Sequence, residues 1–549
     1  MAGSHVALEG SERGRGPDAA HVGDADPASS VEVTVTLRRP ERWRDDAEAV
    51  KRALARFGLV VAAEYPATGS VVLTGTAAQV EAAFRTRLKV YSHQRDGQLR
   101  GREGGLEIPE ELDGIVNGVF GLDQRRVAHR LAAAAAGTAA AGTAAGAAAT
   151  SAAPDPLRPA DLEKRYRFPD GDCTGQTIAI AEFGGGYFPD DVSKFCDLYG
   201  RALPQIETVS VGTTPLTPAQ IAALSADAQG PALGESHEVM MDVEIIAGLC
   251  AGAGVSVFFA PFDQKGWVDL LDRVVAADPP PVTLCVSWGL AEDSPDWSPA
   301  AVEAINQRLE AASGRGITVC VAAGDDGSGD QMHDEHAHVH FPASSPFVLA
   351  VGGTMLDGEQ EVVWWNAPGD RSQPRGGSTG GGVSVRFARP QWQDVHVPSV
   401  NAGAIDGRVV PDVAALAGLP GYALVFNGQP TMNGGTSAAA PLWSALVARI
   451  AGAADPAHPA GPAGPAGPAD PAHPARPAGA PPRKPAFLAP LLYEQGHDGR
   501  ARGAAACVDV TQGNNVSPQP GVGYHAGPGY DAVSGWGVPD GRALRDSLA

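Results

Sequence analysis

The sequence predicts an α/β protein, a parallel sheet with helices on both faces, preceded by a smaller α+β domain. Three observations carry this. First, five apolar runs recur: "QTIAIAEF" (176–183), "GVSVFFAP" (254–261), "PVTLCVSWG" (281–289), "GITVCVAAG" (316–324) and "PFVLAVGG" (346–353). Second, helical segments such as "HEVMMDVEIIAGL" and "AAVEAINQRLEAAS" alternate with them. Strands apolar on both faces and separated by helices belong to a parallel sheet covered on both sides. Third, a low-complexity Ala/Gly/Thr stretch over 131–156 divides this region from an N-terminal part with a different element order.

Residues 1–30 are polar and rich in Gly, Pro and Ala, and are expected to be a disordered tail. "VEVTVTLRRP" (31–40) alternates like a strand, and "RDDAEAVKRALARFG" (44–58) has helical spacing. "LVVAAEY" and "GSVVLTGT" read as strands, "AAQVEAAFRTRL" (77–88) as a helix and "LKVYSH" as a strand. The order β-α-β-β-α-β predicts a ferredoxin-like domain over 31–130. The stretch 131–156 has no polar and apolar faces and reads as a linker. The main domain then spans 157–549, interrupted at about 454–485 by a Pro/Ala/Gly repeat too proline-dense for helix or central strand.

At 549 residues the chain has room for several domains. Its formal charge of −22 argues against nucleic acid and anionic membranes as partners, since both call for basic patches. No transmembrane span and no secretory signal are legible. The six cysteines contain no CxxC pair. Cys250, Cys285 and Cys320 sit in apolar runs and read as small core residues, while Cys173 and Cys196 are a possible disulfide that sequence alone cannot pair.

"NGGTSAAAPLW" (433–443) raises the question of chemistry. The glycines clear space around Ser437, and the Ala run opens a helix. Ser437 would then sit at a helix N-terminus, where free N–H groups favour developing negative charge. It reads as a nucleophile or as an ordinary helix cap. In "GESHEVMMDVEIIAG", Glu238 and Asp242 stand at i, i+4 on one face of a helix that is otherwise apolar nearly all round. Two carboxyls that close share protons, and one pKa rises. Asp325, in "AAGDDG", follows a predicted parallel strand at its C-terminal end, where α/β sheets place their sites.

"GGTSAAAP" resembles the serine motif of the subtilisin-like fold, while "SHEVMMDVE" carries Glu where subtilisins have the base His. "AAGDDG" carries Asp where they have the oxyanion Asn. This combination resembles the sedolisins, or serine-carboxyl peptidases, of the kumamolisin-like branch. The similarity extends through "IAIAEFGGGY", "VSWGLAEDS", "HFPASSPFVLAVGGT", "GGGVSVRFARPQWQ" and "VVPDVAALA". The resemblance implies a subtilisin-like parallel sheet with 31–130 as a propeptide, the activation site in the linker, and a self-processing zymogen that hydrolyses peptide bonds at acid pH. It implies Ser437 as nucleophile, Glu238 as its base, Asp242 orienting Glu238, and a protonated Asp325 as oxyanion donor. Glu182 and Trp297 would extend this network. "VSWG" would pair with extended peptide substrates, and "GGSTGGG" would flank the cleft or form a surface loop.

It also implies one Ca²⁺ ion held by Asp509, Val510, Gly527, Gly529 and Asp531. Two carboxylates and backbone carbonyls on Gly-rich loops are the hard oxygen donors calcium takes. The cluster "HDEHAHVH" raises a zinc reading through His336, His338 and His340, but no cysteine accompanies them. The expected partners are protein and peptide substrates and the chain's own propeptide, with no nucleic acid and no membrane. A monomer is expected, and the family implies an extracellular location. The competing readings are a catalytically silent peptide-binding relative and a Ser-His-Asp enzyme using His237.

Overall fold

The computed structural model describes residues 4–14, 19–93, 97–127, 129–130, 155–371, 376–453, 487–496 and 498–548. The Pro/Ala/Gly insertion at 454–485 and most of the linker at 131–156 lie outside the described residues.

The main sheet runs, from one edge, Gln205–Ser210, Gly254–Phe259, Thr177–Glu182, Thr283–Val286, Thr318–Ala322 and Leu349–Asp357. All these neighbours are parallel. Leu349–Asp357 also pairs with Val413–Leu416 in parallel and with Gln360–Val363 antiparallel. Side-chain alternation builds a core on each face. Ile178 and Ile180 enter a core with helices Ala226–Leu249 and Thr436–Ala453. Ala179 and Ala181 enter the opposite one, with helices Gln264–Ala276 and Pro299–Gly314. All five apolar runs become strands of this sheet. Gln205–Ser210, "QIETVS", was not anticipated, because an edge strand exposed at Gln205, Glu207, Thr208 and Ser210 has no apolar run.

The N-terminal domain has its own core. Its antiparallel sheet has the order Val60–Tyr65, Ser70–Thr76, Ser30–Leu37, Val116–Phe120, with helices Trp43–Ala55 and Ala77–Phe84. Two expectations are corrected. The fourth ferredoxin-like strand is Val116–Phe120. "LKVYSH" supplies Lys89–His93 to a separate sheet, between Ala19–Asp24 and Gly97–Gly101. Local alternation is the same in both, and only tertiary pairing separates them. Residues 1–30, expected to be disordered, carry two strands: His5–Arg13, paired with Gly104–Pro109, and Ala19–Asp24. Polar composition concealed them, since Leu8 is the one residue of His5–Arg13 in the buried core.

This domain docks on helices Gln264–Ala276 and Pro299–Gly314. Thr34 Oγ1 donates to Asp269 at 2.6 Å, Lys265 pairs with Glu32 at 2.7 Å, and Asn117 Nδ2 donates to Gln307 at 3.1 Å. Arg308, fully buried, reaches Asp272 at 2.8 Å and also bonds Ser70 of the N-terminal domain. Elsewhere the disulfide expectation is corrected. Cys173 is bridged to Cys250, with Cα atoms 5.2 Å apart, while Cys196 is free and buried. The apolar run that hid Cys250 ends at the helix C-cap, where its side chain meets the loop carrying Cys173.

Candidate active site

Helix Ala226–Leu249 is buried on every side over its second half, so Glu238 and Asp242 are wholly removed from water. Asp242 Oδ2 accepts from Ser287 Oγ at 2.7 Å and from Cys285 Sγ at 3.7 Å. Burial, and then the charge of Glu238 one turn earlier, hold the Asp242 carboxyl well above its ordinary range. Glu182, at the end of strand Thr177–Glu182, is raised for the same reasons, burial first and then Asp242 and Glu238. The three carboxyls therefore form one buried acidic cluster.

Ser437 is the second residue of helix Thr436–Ala453. The turn before it needs glycine: Gly435 has φ +96°, and a Cβ on Gly434 would lie 2.2 Å from the Ala417 carbonyl. Ser437 Oγ stands 3.5 Å from the Ser287 carbonyl, and Ser287 Oγ lies 3.3 Å from the Ser437 carbonyl. Ser287 thus touches both the serine and Asp242.

Asp325 follows strand Thr318–Ala322 and is fully buried. Its Oδ1 accepts from Thr436 N at 2.8 Å and from Thr436 Oγ1 at 2.7 Å, which ties it to the residue before Ser437. Oδ2 has no hydrogen-bond partner among the described residues; Arg371 Nη1 lies 4.0 Å away, and Arg371 Nε is 2.9 Å from Asp326. Burial pushes the Asp325 carboxyl up to about 8, against the opposing pull of Arg371 and Thr436. An acid held this way keeps its proton and can donate it in a hydrogen bond.

Several expected residues sit elsewhere. Trp297 does not reach the acidic network: its ring packs edge-on against Trp267 and Phe341, with centroids 6.0 and 5.3 Å away. The tryptophan that bonds Glu182 is Trp288, whose Nε1 donates at 3.0 Å. The offset in "EDSPDW" explains the misassignment. His237 lies against the Phe426 ring at 4.7 Å, one position round the helix from Glu238. The Gly-rich "GGSTGGG" is a buried support rather than a surface loop. Ser378 N donates to the Asp325 carbonyl at 3.0 Å and Gly380 N to the Gly324 carbonyl at 2.8 Å. In the His cluster, His338 is held by Asp293 at 2.9 Å and Asp334 at 2.8 Å, and His340 by Asp330 at 2.9 Å. Ser287, Trp288, Thr436 and Arg371 are site neighbours that sequence reasoning missed. The first three lie inside quoted motifs, whereas nothing local marks Arg371.

The edge segment "VSWG" continues as strand Trp288–Ala291, and the chain's own N-terminal part occupies it. His129–Arg130 pairs antiparallel there, His129 opposite Gly289 and Arg130 opposite Trp288. From His129 to Arg130 the pairing advances from Gly289 to Trp288, the neighbour of Ser287.

The five C-terminal positions gather around one pair of loops. Asp509 Oδ2 accepts from Gly529 N at 2.7 Å, and Asp531 Oδ2 from Gly527 N at 3.0 Å. Asp531 Oδ1 accepts from Ser534 Oγ at 2.9 Å, and that hydroxyl lies 3.4 Å from the Val510 carbonyl. No group of three or more His, Cys, Asp or Glu side chains suited to a metal occurs among the described residues. A cation here would draw two carboxylates and otherwise backbone carbonyls, an all-oxygen set that fits calcium chemistry.

Residues 42–125 match the family described as "Pro-kumamolisin, activation domain", and residues 273–461 match the "Subtilase family". Kumamolisin of Bacillus sp. (strain MN-32) is 37% identical over 518 residues, covering 92% of this chain and 83% of that protein. The chain belongs to the sedolisin family. Within that family it is kumamolisin-like and carries its propeptide. Human tripeptidyl-peptidase 1 is 30% identical over 422 residues, 71% of this chain and 64% of that protein. Among solved structures, Pseudomonas sedolisin (serine-carboxyl proteinase), complexed with two molecules of pseudo-iodotyrostatin, superposes with a TM-score of 0.56. It is 24% identical, over 72% of this chain and 99% of that chain, which speaks to the subtilisin-like fold. This chain, with its activation domain and its likeness to kumamolisin, is a self-processing serine-carboxyl peptidase.

Proposed function

We propose that the chain is an acid-acting endopeptidase in which Ser437 is the nucleophile and Glu238 the general base. Ser437 Oγ attacks the scissile carbonyl carbon while its proton passes to Glu238. Asp325, protonated, donates a hydrogen bond to the oxyanion. Collapse of the tetrahedral intermediate breaks the C–N bond, and Glu238 returns the proton to the leaving amine. Water then attacks the acyl-enzyme with Glu238 again as base, releasing the acid and restoring Ser437. Asp242 and Ser287 orient this set. Glu182, held in place by Trp288, faces the charges of Asp242 and Glu238 and adds to the acidic field that keeps protons in the cluster.

The observation that carries this reading is the pairing of Ser437 with an aspartic acid held neutral beside it. Asp325 is raised to about 8 and fixed by two bonds to Thr436. A carboxylate there would repel an oxyanion, whereas a carboxylic acid stabilises one.

Residues 31–130 act as the propeptide, occupying the cleft edge until the linker at 131–156 is cut. Asp509 and Asp531, with the carbonyls of Val510, Gly527 and Gly529, hold one Ca²⁺ ion. That ion ties the C-terminal loops to the domain and takes no part in the chemistry. The enzyme works outside the cell, as a monomer, on proteins and peptides. No helix among the described residues is long and apolar enough to cross a membrane.

The test is Ser437→Ala. It should abolish both casein cleavage at low pH and self-processing, leaving the full 56.2 kDa chain. Normal maturation of this variant in the absence of another protease would overturn the assignment.

A further inference from the structure

Two adjacent arginines near the end of the propeptide behave differently. Arg125 turns back into its own domain, with Nε 2.9 Å from Asp123 Oδ1. Arg126 crosses to the peptidase domain. Its Nη1 lies 2.9 Å from Glu235 Oε1, and its guanidinium carbon sits 4.5 Å from the centroid of the Phe262 ring. Glu235 is on helix Ala226–Leu249, one turn before Glu238, and its side chain is 7% exposed.

The main chain around Arg126 is held as a bound peptide would be. Val127 N donates to the Phe262 carbonyl at 3.0 Å, and Val127 is fully buried. Shortly after, His129 and Arg130 pair with Gly289 and Trp288. The segment thus lies between the Phe262 turn and the strand Trp288–Ala291, ending opposite Trp288. Main-chain pairing on such an edge supplies affinity whatever the sequence, and side-chain pockets supply selectivity.

We propose that Glu235 and Phe262 form a substrate subsite for a basic side chain several residues N-terminal to the cleaved bond, and that Arg126 occupies it until maturation. A carboxylate beside an aromatic face suits a guanidinium, which pairs with the first and stacks on the second. Gly184 leaves room for the Glu235 carboxylate and the Phe262 ring, since a Cβ there would lie 2.8 Å from Glu235 Oε2 and 3.7 Å from the ring. Phe262 is itself packed edge-on against Trp288, centroids 4.9 Å apart, so the subsite adjoins the substrate-pairing strand. The preferred substrates are therefore peptides carrying Arg, or secondarily Lys, at this position. The subsite rests on the peptidase reading above but is tested apart from it.

The test uses enzyme matured from the full chain and a fluorescent synthetic peptide of residues 119–130, at mildly acidic pH. Binding is read by anisotropy and, separately, by inhibition of casein cleavage. Citrulline in place of Arg126 keeps the shape and removes the charge, and should weaken binding about tenfold. The same change at Arg125 should have little effect. Against Glu235→Gln enzyme, the arginine and citrulline peptides should bind alike. Equal binding of the two peptides to the unaltered enzyme, or an undiminished preference for arginine in Glu235→Gln, would overturn the subsite. If Glu235→Gln fails to mature, the citrulline comparison on the unaltered enzyme decides. Binding that follows this pattern in an enzyme that cleaves no casein at low pH would sink the catalytic reading and leave the subsite standing.

Discussion

Asp325 and Asp412 are both fully buried aspartates, each close to a strand of the main sheet, and they are treated in opposite ways. Asp412 receives a complete set of partners. Its Oδ2 accepts from Arg408 Nη2 at 2.5 Å and Ala350 N at 2.8 Å, and its Oδ1 from Tyr493 at 2.7 Å. Asp325 is bonded on one oxygen only, with its nearest cation 4.0 Å from the other. A carboxylate that must stay charged in a low dielectric is matched by a cation and hydrogen bonds. One left short of both keeps its proton instead, and the carboxyl is raised to about 8. The first arrangement suits a structural ion pair, and the second suits the donor role proposed for Asp325 beside Ser437.

Neutralising each aspartate should therefore break different properties. Asp412→Asn leaves Arg408 buried without its charge partner and should cost about 3–5 kcal/mol of folding free energy, read by denaturant unfolding. Any fraction that folds should keep its pH profile. Within the acidic cluster, Glu238→Gln should lower kcat by at least ~10²-fold with little change in melting temperature, because it removes a base and not a packed partner. A chelator should act more weakly: calcium at tenfold its Kd contributes about 1.4 kcal/mol. EDTA should lower the melting temperature, added Ca²⁺ should restore it, and Asp531→Ala should lose that response. Identical melting curves with and without EDTA would remove the ion from the account.

How far the sequence reached depends on what each feature needed. Five strands of the main sheet were legible because burial on both faces demands unbroken apolar runs, as in "TVCVAAG", whereas the edge strand Gln205–Ser210 was not. Ser437, Glu238, Asp242 and Asp325 were legible because small residues and apolar flanks isolate them within short motifs. Their roles came from family resemblance rather than spacing. The Cys173–Cys250 bridge was not legible, since it joins a loop to a helix end 77 residues away. Nor were the strands within residues 1–30, whose order comes from pairing partners rather than from their own composition. Ser287 and Trp288 were read only as a main-chain edge, although their side chains bond Asp242 and Glu182. Only the tertiary fold reveals that one dipeptide serves both purposes.

The contrast between the two aspartates is tested most directly by the pH dependence of kcat/KM for unaltered enzyme and Asp325→Asn. Asp325 donates only when protonated, so activity should fall as pH rises through its pKa. Burial is the main cause of the shift, and loss of the propeptide opens the cleft to water. The alkaline limb should then lie between the ordinary 3.8 and about 8. The same sign applies to stability. A carboxyl raised on folding favours the folded state most below its unfolded pKa, and that contribution is lost as pH climbs toward about 8. Asparagine carries no titrating proton and still donates. Asp325→Asn should retain measurable activity, flatten the alkaline limb and lose less stability between acid and neutral pH. Superimposable profiles, with both enzymes most active at neutral pH, would contradict the assignment of Asp325 as the neutral oxyanion donor.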